Sequence, residues 1–131
     1  MTPADFKSFV DGYIECALWS SNDRTDDGGD DPLDRNYSAE DLSFETATAM
    51  VADCKAFVDA NAADLAVAIE AYGKDDSPGY AGHDFWLTRN GHGAGFWDGD
   101  LPDALGKRLA DAAYAFGTCD LHVEDGKIIS D

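Results

Sequence analysis

The chain has 131 residues, 44% of them hydrophobic and 11% aromatic, enough to bury a real core, so it is expected to be a single domain over 1–131 and not a disordered chain. Twenty-seven acids against nine lysines and arginines give a formal net charge of -18. A surface so charged is repelled by nucleic acid and by anionic membrane, which excludes direct nucleic-acid and membrane binding and favours basic surfaces, cations or proteins built to grip phosphate.

Thr2-Pro3 is a helix start, and Phe6, Phe9, Val10, Tyr13, Ile14, Ala17 and Leu18 recur after it at helical spacing. From Trp19 the periodicity stops, and a long acidic surface loop at about 20–37 takes over. Between Asp23 and Asp34 it places six aspartates in twelve residues. Loops of that length in a compact domain are uncommon and usually functional or disordered. Ser38 with Asp41 three residues on predicts the cap of a second helix, with Leu42, Ala47, Met50, Val51, Cys54, Phe57 and Val58 on one face. A third helix is predicted from about Asn61, with Asp64 in its first turn, to Gly73.

After a polar loop over 74–82 the pattern changes. Residues 85–89 and 94–97 flank Asn90-Gly91-His92-Gly93, a composition that predicts a β-hairpin. A fourth helix is expected over about 102–116, and then a second hairpin. In it Cys119, Leu121 and Val123 alternate with Asp120 and His122 before Glu124-Asp125-Gly126 turns the chain into Lys127-Ile128-Ile129. The expected fold class is α+β: three N-terminal helices followed by a small antiparallel sheet of two β-hairpins with a fourth helix between them. Cys16, Cys54 and Cys119 are widely spaced and odd in number, with no CxxC pair. They read as buried thiols in a reducing compartment, and with no signal peptide or apolar run of about 18 residues the expected location is the cytoplasm of a host cell.

The run Gly82-His83-Asp84-Phe85-Trp86-Leu87-Thr88-Arg89-Asn90-Gly91-His92-Gly93-Ala94-Gly95-Phe96-Trp97-Asp98 resembles the signature of a family of short phage and prophage proteins. The resemblance extends through residues 17–21, 50–54 and 120–123. It implies a mobile-element origin and transfers no catalytic or binding residue. Small acidic phage proteins are often inhibitors that imitate DNA, and that association adds a partner class to the charge argument.

Eighteen charges at about one per 1.7 Å of B-DNA equal roughly 30 Å of duplex, close to the diameter of a domain of this length, about 35 Å. A mimic must repeat carboxylates near the roughly 7 Å spacing of phosphates, which extended i, i+2 and helical i, i+4 pairs approach. Asp23, Asp26, Asp27, Asp30, Asp31 and Asp34 are the candidate row, joined by Asp11 and Glu15 on the first helix and by Asp75 and Asp76. The partner would be a host nucleic-acid-binding protein with a basic cleft. Trp86, Arg89, His92 and Trp97, on one predicted hairpin, are either core or a second contact surface.

Two alternatives concern the same loop. The charge could serve only solubility in a general interaction module. Or the loop could hold calcium, since Asp23, Thr25, Asp27, Gly28, Asp31 and Asp34 fall at positions 1, 3, 5, 6, 9 and 12 of an EF-hand-like pattern. Against the latter stand Asp30 at the apolar position 8, Pro32 at position 10, a short Asp at position 12 and a following helix that begins too late. Zinc on His83, His92, His122 and Cys119 is disfavoured because residues 119 and 122 would face opposite sides of a strand. No GxSxG elbow, phosphate loop or HExxH occurs, so no catalytic residue and no cofactor other than calcium is expected.

Overall fold

A computed structural model describes residues 1–23, 31–92 and 94–130. Helix α1 (Pro3–Ser20) starts where the sequence predicts. The Thr2 hydroxyl accepts from the Asp5 N–H at 3.1 Å, and the Asp5 carboxylate accepts from the Thr2 N–H at 3.3 Å. Asn22–Asp23 (β1) and Asp31–Pro32 (β2) then pair antiparallel, and the Leu33 N–H donates to the Ser21 carbonyl at 2.8 Å, so both ends of the acidic segment are tied to the end of α1.

Ser38 and Asp41 form the predicted reciprocal cap, but on a single 3₁₀ turn, Ala39–Asp41. Helix α2 (Phe44–Ala60) starts afresh behind Ser43, whose side chain accepts from the Thr46 N–H. Helix α3 (Ala62–Tyr72) ends as expected at Gly73, which lies at φ +60° in the left-handed region that favours glycine.

The expected fold class is wrong in its second half. Residues 77–89, expected as polar loop to residue 82 and as strand over 85–89, form one helix, α4 (Ser77–Arg89). Asp76 caps it by accepting from the Gly79 N–H at 3.2 Å, and Pro78 sits in its first turn, the same kind of start signal as Thr2-Pro3. Asn90-Gly91 is its end and not a hairpin turn, with Gly91 at φ +71°. Residues 94–98 are no strand either: the loop folds back so that the Phe96 N–H donates to Thr88 Oγ1 at 3.1 Å. Helix α5 (Asp103–Tyr114) and the hairpin of β3 (Leu121–Glu124) and β4 (Lys127–Ser130) follow as predicted, the hairpin turning at Asp125-Gly126, both at positive φ. The described residues therefore hold five α-helices and two separate two-stranded ladders, not three N-terminal helices followed by a sheet of two hairpins with a fourth helix between them.

Helix α4 is the centre of the molecule because it packs on α1 at backbone distance. The space a Cβ would need on Gly12 is filled by the Gly79 carbonyl, and on Gly82 by the Phe9 carbonyl. Phe85 and Trp86 thereby reach the core, where Phe85 stacks on Phe57 of α2 (4.1 Å between centroids, 10° between planes) and Tyr13 lies against both rings. The C-terminal hairpin docks on the start of α2, the Ser43 N–H donating to the Ile128 carbonyl at 2.9 Å. Alanine is favoured over glycine in an isolated helix by about 1 kcal/mol. Gly12→Ala and Gly82→Ala should nevertheless each lose about 1–3 kcal/mol or more in urea unfolding, because the new methyl meets a carbonyl that cannot move without separating the helices. A neutral or stabilising result would mean that the two backbones are not in contact.

Candidate functional site

The helical repeat of α4 decides what the signature residues do. Trp86 and Arg89 fall on its inward face and are 2% and 6% exposed, while His92 and Trp97, beyond its end, are exposed. Arg89 is taken up inside the protein. Its guanidinium donates to Asp53 Oδ2 at 2.8 Å, to the Tyr13 hydroxyl at 2.9 Å and to the carbonyls of Gly117 and Phe116 at 2.8 and 3.1 Å. It also lies 5.7 Å from the Phe85 and Phe116 ring centroids. Arg89 thus joins α1, α2 and α4 to the segment that follows α5, with four of its five guanidinium N–H groups bonded inside the protein.

One turn earlier, Asp84 is buried and accepts a 2.6 Å hydrogen bond from the Tyr72 hydroxyl. Burial pushes its carboxyl up to about 7; the Tyr72 hydrogen bond opposes this, and the charges of Asp98 and Asp100 add to it. Neither network is expected from a strand assignment. The signal that reveals both is the Asp76-Ser77-Pro78 start, which puts Phe85, Trp86 and Arg89 on one helical face.

Ser20, Trp86, Asn90, His92, Asp120 and His122, from segments remote in the sequence, are among the residues that line a cleft of about 660 Å3. Its wall is held by hydrogen bonds. Trp86 Nε1 donates to Ser20 Oγ at 2.8 Å, and the Asn90 side chain donates to the Trp86 carbonyl and accepts from the Cys119 N–H at 2.7 Å. Cys119 also lines this cleft beside His122, because it precedes β3 and the alternation of a strand does not apply to it. Among the described residues no group of three His, Cys, Asp or Glu side chains is placed to hold a metal ion. Burial pushes the Cys16 and Cys54 thiols up, Cys16 to about 12, so neither is a nucleophile at neutral pH.

The acids are distributed unevenly. Asp23 is buried on β1, Asp31 is half-buried and pairs with Arg35 at 2.9 Å, and Asp34 is exposed. Thr25, Asp26, Asp27, Gly28 and Asp30 lie outside the described residues. Asp34 meets Asp11 and Glu15 of α1 around a groove of about 430 Å3 whose lining includes Ile14, Leu18 and Tyr37. Asp75 is exposed and Asp76 is occupied as the α4 cap. After Asp34 the chain makes 3₁₀ turns at 33–35 and 39–41, where an EF-hand would continue as a helix. Six of the eight lysines and arginines among the described residues pair with carboxylates, four of them i, i+4 on the surface, so the acid excess is left with few cations to oppose it. No described helix is long and apolar enough to cross a membrane.

No family model, curated protein or solved structure matches the chain. The geometry by itself defines a helical protein with an internally satisfied core and acid-rimmed grooves.

Removing the buried guanidinium leaves the Tyr13 hydroxyl and two carbonyls without their donor, so Arg89→Met should cost about 3–5 kcal/mol. Asp53→Asn should cost less, since the Asp53 side chain is 41% exposed; urea unfolding of both variants checks the order. Asp84 titrates higher folded than unfolded. The stability from its protonated form is complete below about pH 4 and is lost as pH rises through about 7, amounting to as much as about 4 kcal/mol. Asp84→Asn should remove that fall, read as the difference between wild-type and variant stability from pH 4 to 8. Parallel curves would show that Asp84 is ionised in the folded protein.

Proposed function

We propose that the chain is an acidic binding protein of phage or prophage origin that acts in the host cytoplasm by occupying the basic cleft of a nucleic-acid-binding protein, in place of the nucleic acid. The supporting observation is the groove at which Asp11 and Glu15 of α1 meet Asp34 of the acidic segment. Residues far apart in sequence there present carboxylates around a small apolar floor. Asp11 and Glu15, four apart on a helix, lie about 6 Å apart along its axis, near the repeat of a phosphate backbone. The Lys7–Asp11 pair beside them is exposed on both sides, so it contributes little and yields readily to a partner's cation. The resemblance of residues 82–98 to phage proteins directs the reading toward a host partner. It needs neither a catalytic group nor a cofactor.

Proteins retained from host lysate on the immobilised chain should be nucleic-acid-binding proteins that a duplex oligonucleotide releases. Their association should slow steeply with salt. The triple variant Asp11→Asn, Glu15→Gln, Asp34→Asn keeps size and polarity while removing three charges, and should retain several-fold less. Equal recovery by both forms, or release that ignores the oligonucleotide, would sink the proposal.

A further inference from the structure

Trp97 is 50% exposed and Tyr114 49%, and both line a groove of about 330 Å3 between the loop over 96–101 and α5. The loop holds the indole outward. Its neighbours Phe96 and Leu101 are buried at 1% and 6%, and the Phe96 carbonyl occupies the space a Cβ would need on Gly106 of α5. The Phe96 N–H is fixed to Thr88, and the Asp98 N–H donates to the Gly95 carbonyl at 3.2 Å. Trp97 therefore projects from a backbone anchored on both sides, and little ordering remains to be done when something binds against it.

Two of the residues that α5 contributes to the lining, Gly106 and Ala110, are small, which leaves room for a narrow occupant. The surroundings are acidic. Asp103 and Asp111 belong to the lining, Asp98 and Asp100 are exposed beside Trp97, and Lys107, the cation of the lining, is paired with Asp111 at 2.8 Å.

We infer that this groove receives an arginine side chain from a basic partner protein. The alkyl stem lies over Gly106 and Ala110, the guanidinium plane stacks on Trp97 and Tyr114, and the Asp103 carboxylate takes its N–H groups. Charge selects this occupant. An acidic side chain would be repelled, and a purely apolar one would strip water from carboxylates and give them no donor in return. Arginine suits the site better than lysine because its planar, weakly hydrated head stacks on aromatic faces and forks onto a carboxylate. The volume is at the low end for ligand sites, which fits one side chain and not a cofactor. The inference deepens the acidic-binding reading and rests on it for the partner's class, but uses a surface that shares no residue with the groove on α1.

The test is a titration of the chain, labelled at its indole nitrogens, with acetyl-Gly-Arg-Gly-Arg-Gly-amide at physiological salt, followed by NMR. The Trp97 N–H, assigned by its loss in Trp97→Phe, should shift and saturate, and the lysine counterpart of the peptide should bind more weakly. By calorimetric titration with the same peptide, which needs no indole signal, Trp97→Ala and Tyr114→Ala should each weaken binding about five- to thirty-fold at unchanged thermal stability, while Trp97→Phe retains most of the affinity. The triple variant on α1 should stay within about twofold of wild type. Affinity unchanged in Trp97→Ala, a shift confined to the Trp19 indole, or a loss in the triple variant as large as that in Trp97→Ala would each overturn the inference. Because the peptide replaces the host protein, these outcomes are independent of whether an oligonucleotide displaces proteins captured from lysate.

Discussion

The backbone contact between α1 and α4 is the constraint on which the rest of this structure depends. With no Cβ at Gly12 and Gly82, the helices approach until each lies against the other's carbonyls. Two glycines cost helix propensity, about 1 kcal/mol each in a helix interior. The approach offsets that by carrying Phe85 onto Phe57 and Tyr13, and by bringing Arg89 within reach of Tyr13 and Asp53. A larger residue at either position would part the helices and pull the aromatic cluster and the guanidinium from their partners together.

The same contact sorts the charge of the protein. Arg89 goes inside, where hydrogen bonds and two aromatic rings replace its water. Several other cations are spent on neighbouring carboxylates one helical turn away. The acidic excess therefore stays largely on the outside, and some of its carboxylates meet in two places: Asp11, Glu15 and Asp34 around the α1 groove, and Asp98, Asp100, Asp103 and Asp111 near Trp97. Asp23 and Asp84 are buried exceptions, and Asp84 is held beside Tyr72, where burial favours its neutral form. A protein arranged in this way has a core that tolerates few changes and a surface on which many carboxylates can be altered without touching the fold.

Much of the chain was legible in one dimension because local chemistry decides it. Thr2-Pro3, the Asn61 and Gly73 boundaries of α3, the helix over 103–114 and the Asp125-Gly126 turn each rest on contacts within a few residues, and all appear where composition and periodicity put them. The second helix was displaced because two serine caps follow each other. Ser38 closes a 3₁₀ turn, and Ser43 starts the α-helix.

The segment over 77–98 could not be assigned in that way. Its aromatics and Asn-Gly favour a strand and turn, its glycines disfavour a helix, and only the Asp76-Ser77-Pro78 start argues the other way. What makes residues 77–89 helical is a surface supplied by α1, more than sixty residues earlier, that only a helix bare of a side chain at 82 can meet. That choice sends Trp86 and Arg89 inward, leaves Trp97 outside, and lets α5 bring Tyr114 beside it. Net charge, being a sum, needed no fold to be known. Which acids share a groove, and which aromatic faces a partner, depend on distances between segments remote in the chain, and these exist only once the helices have packed.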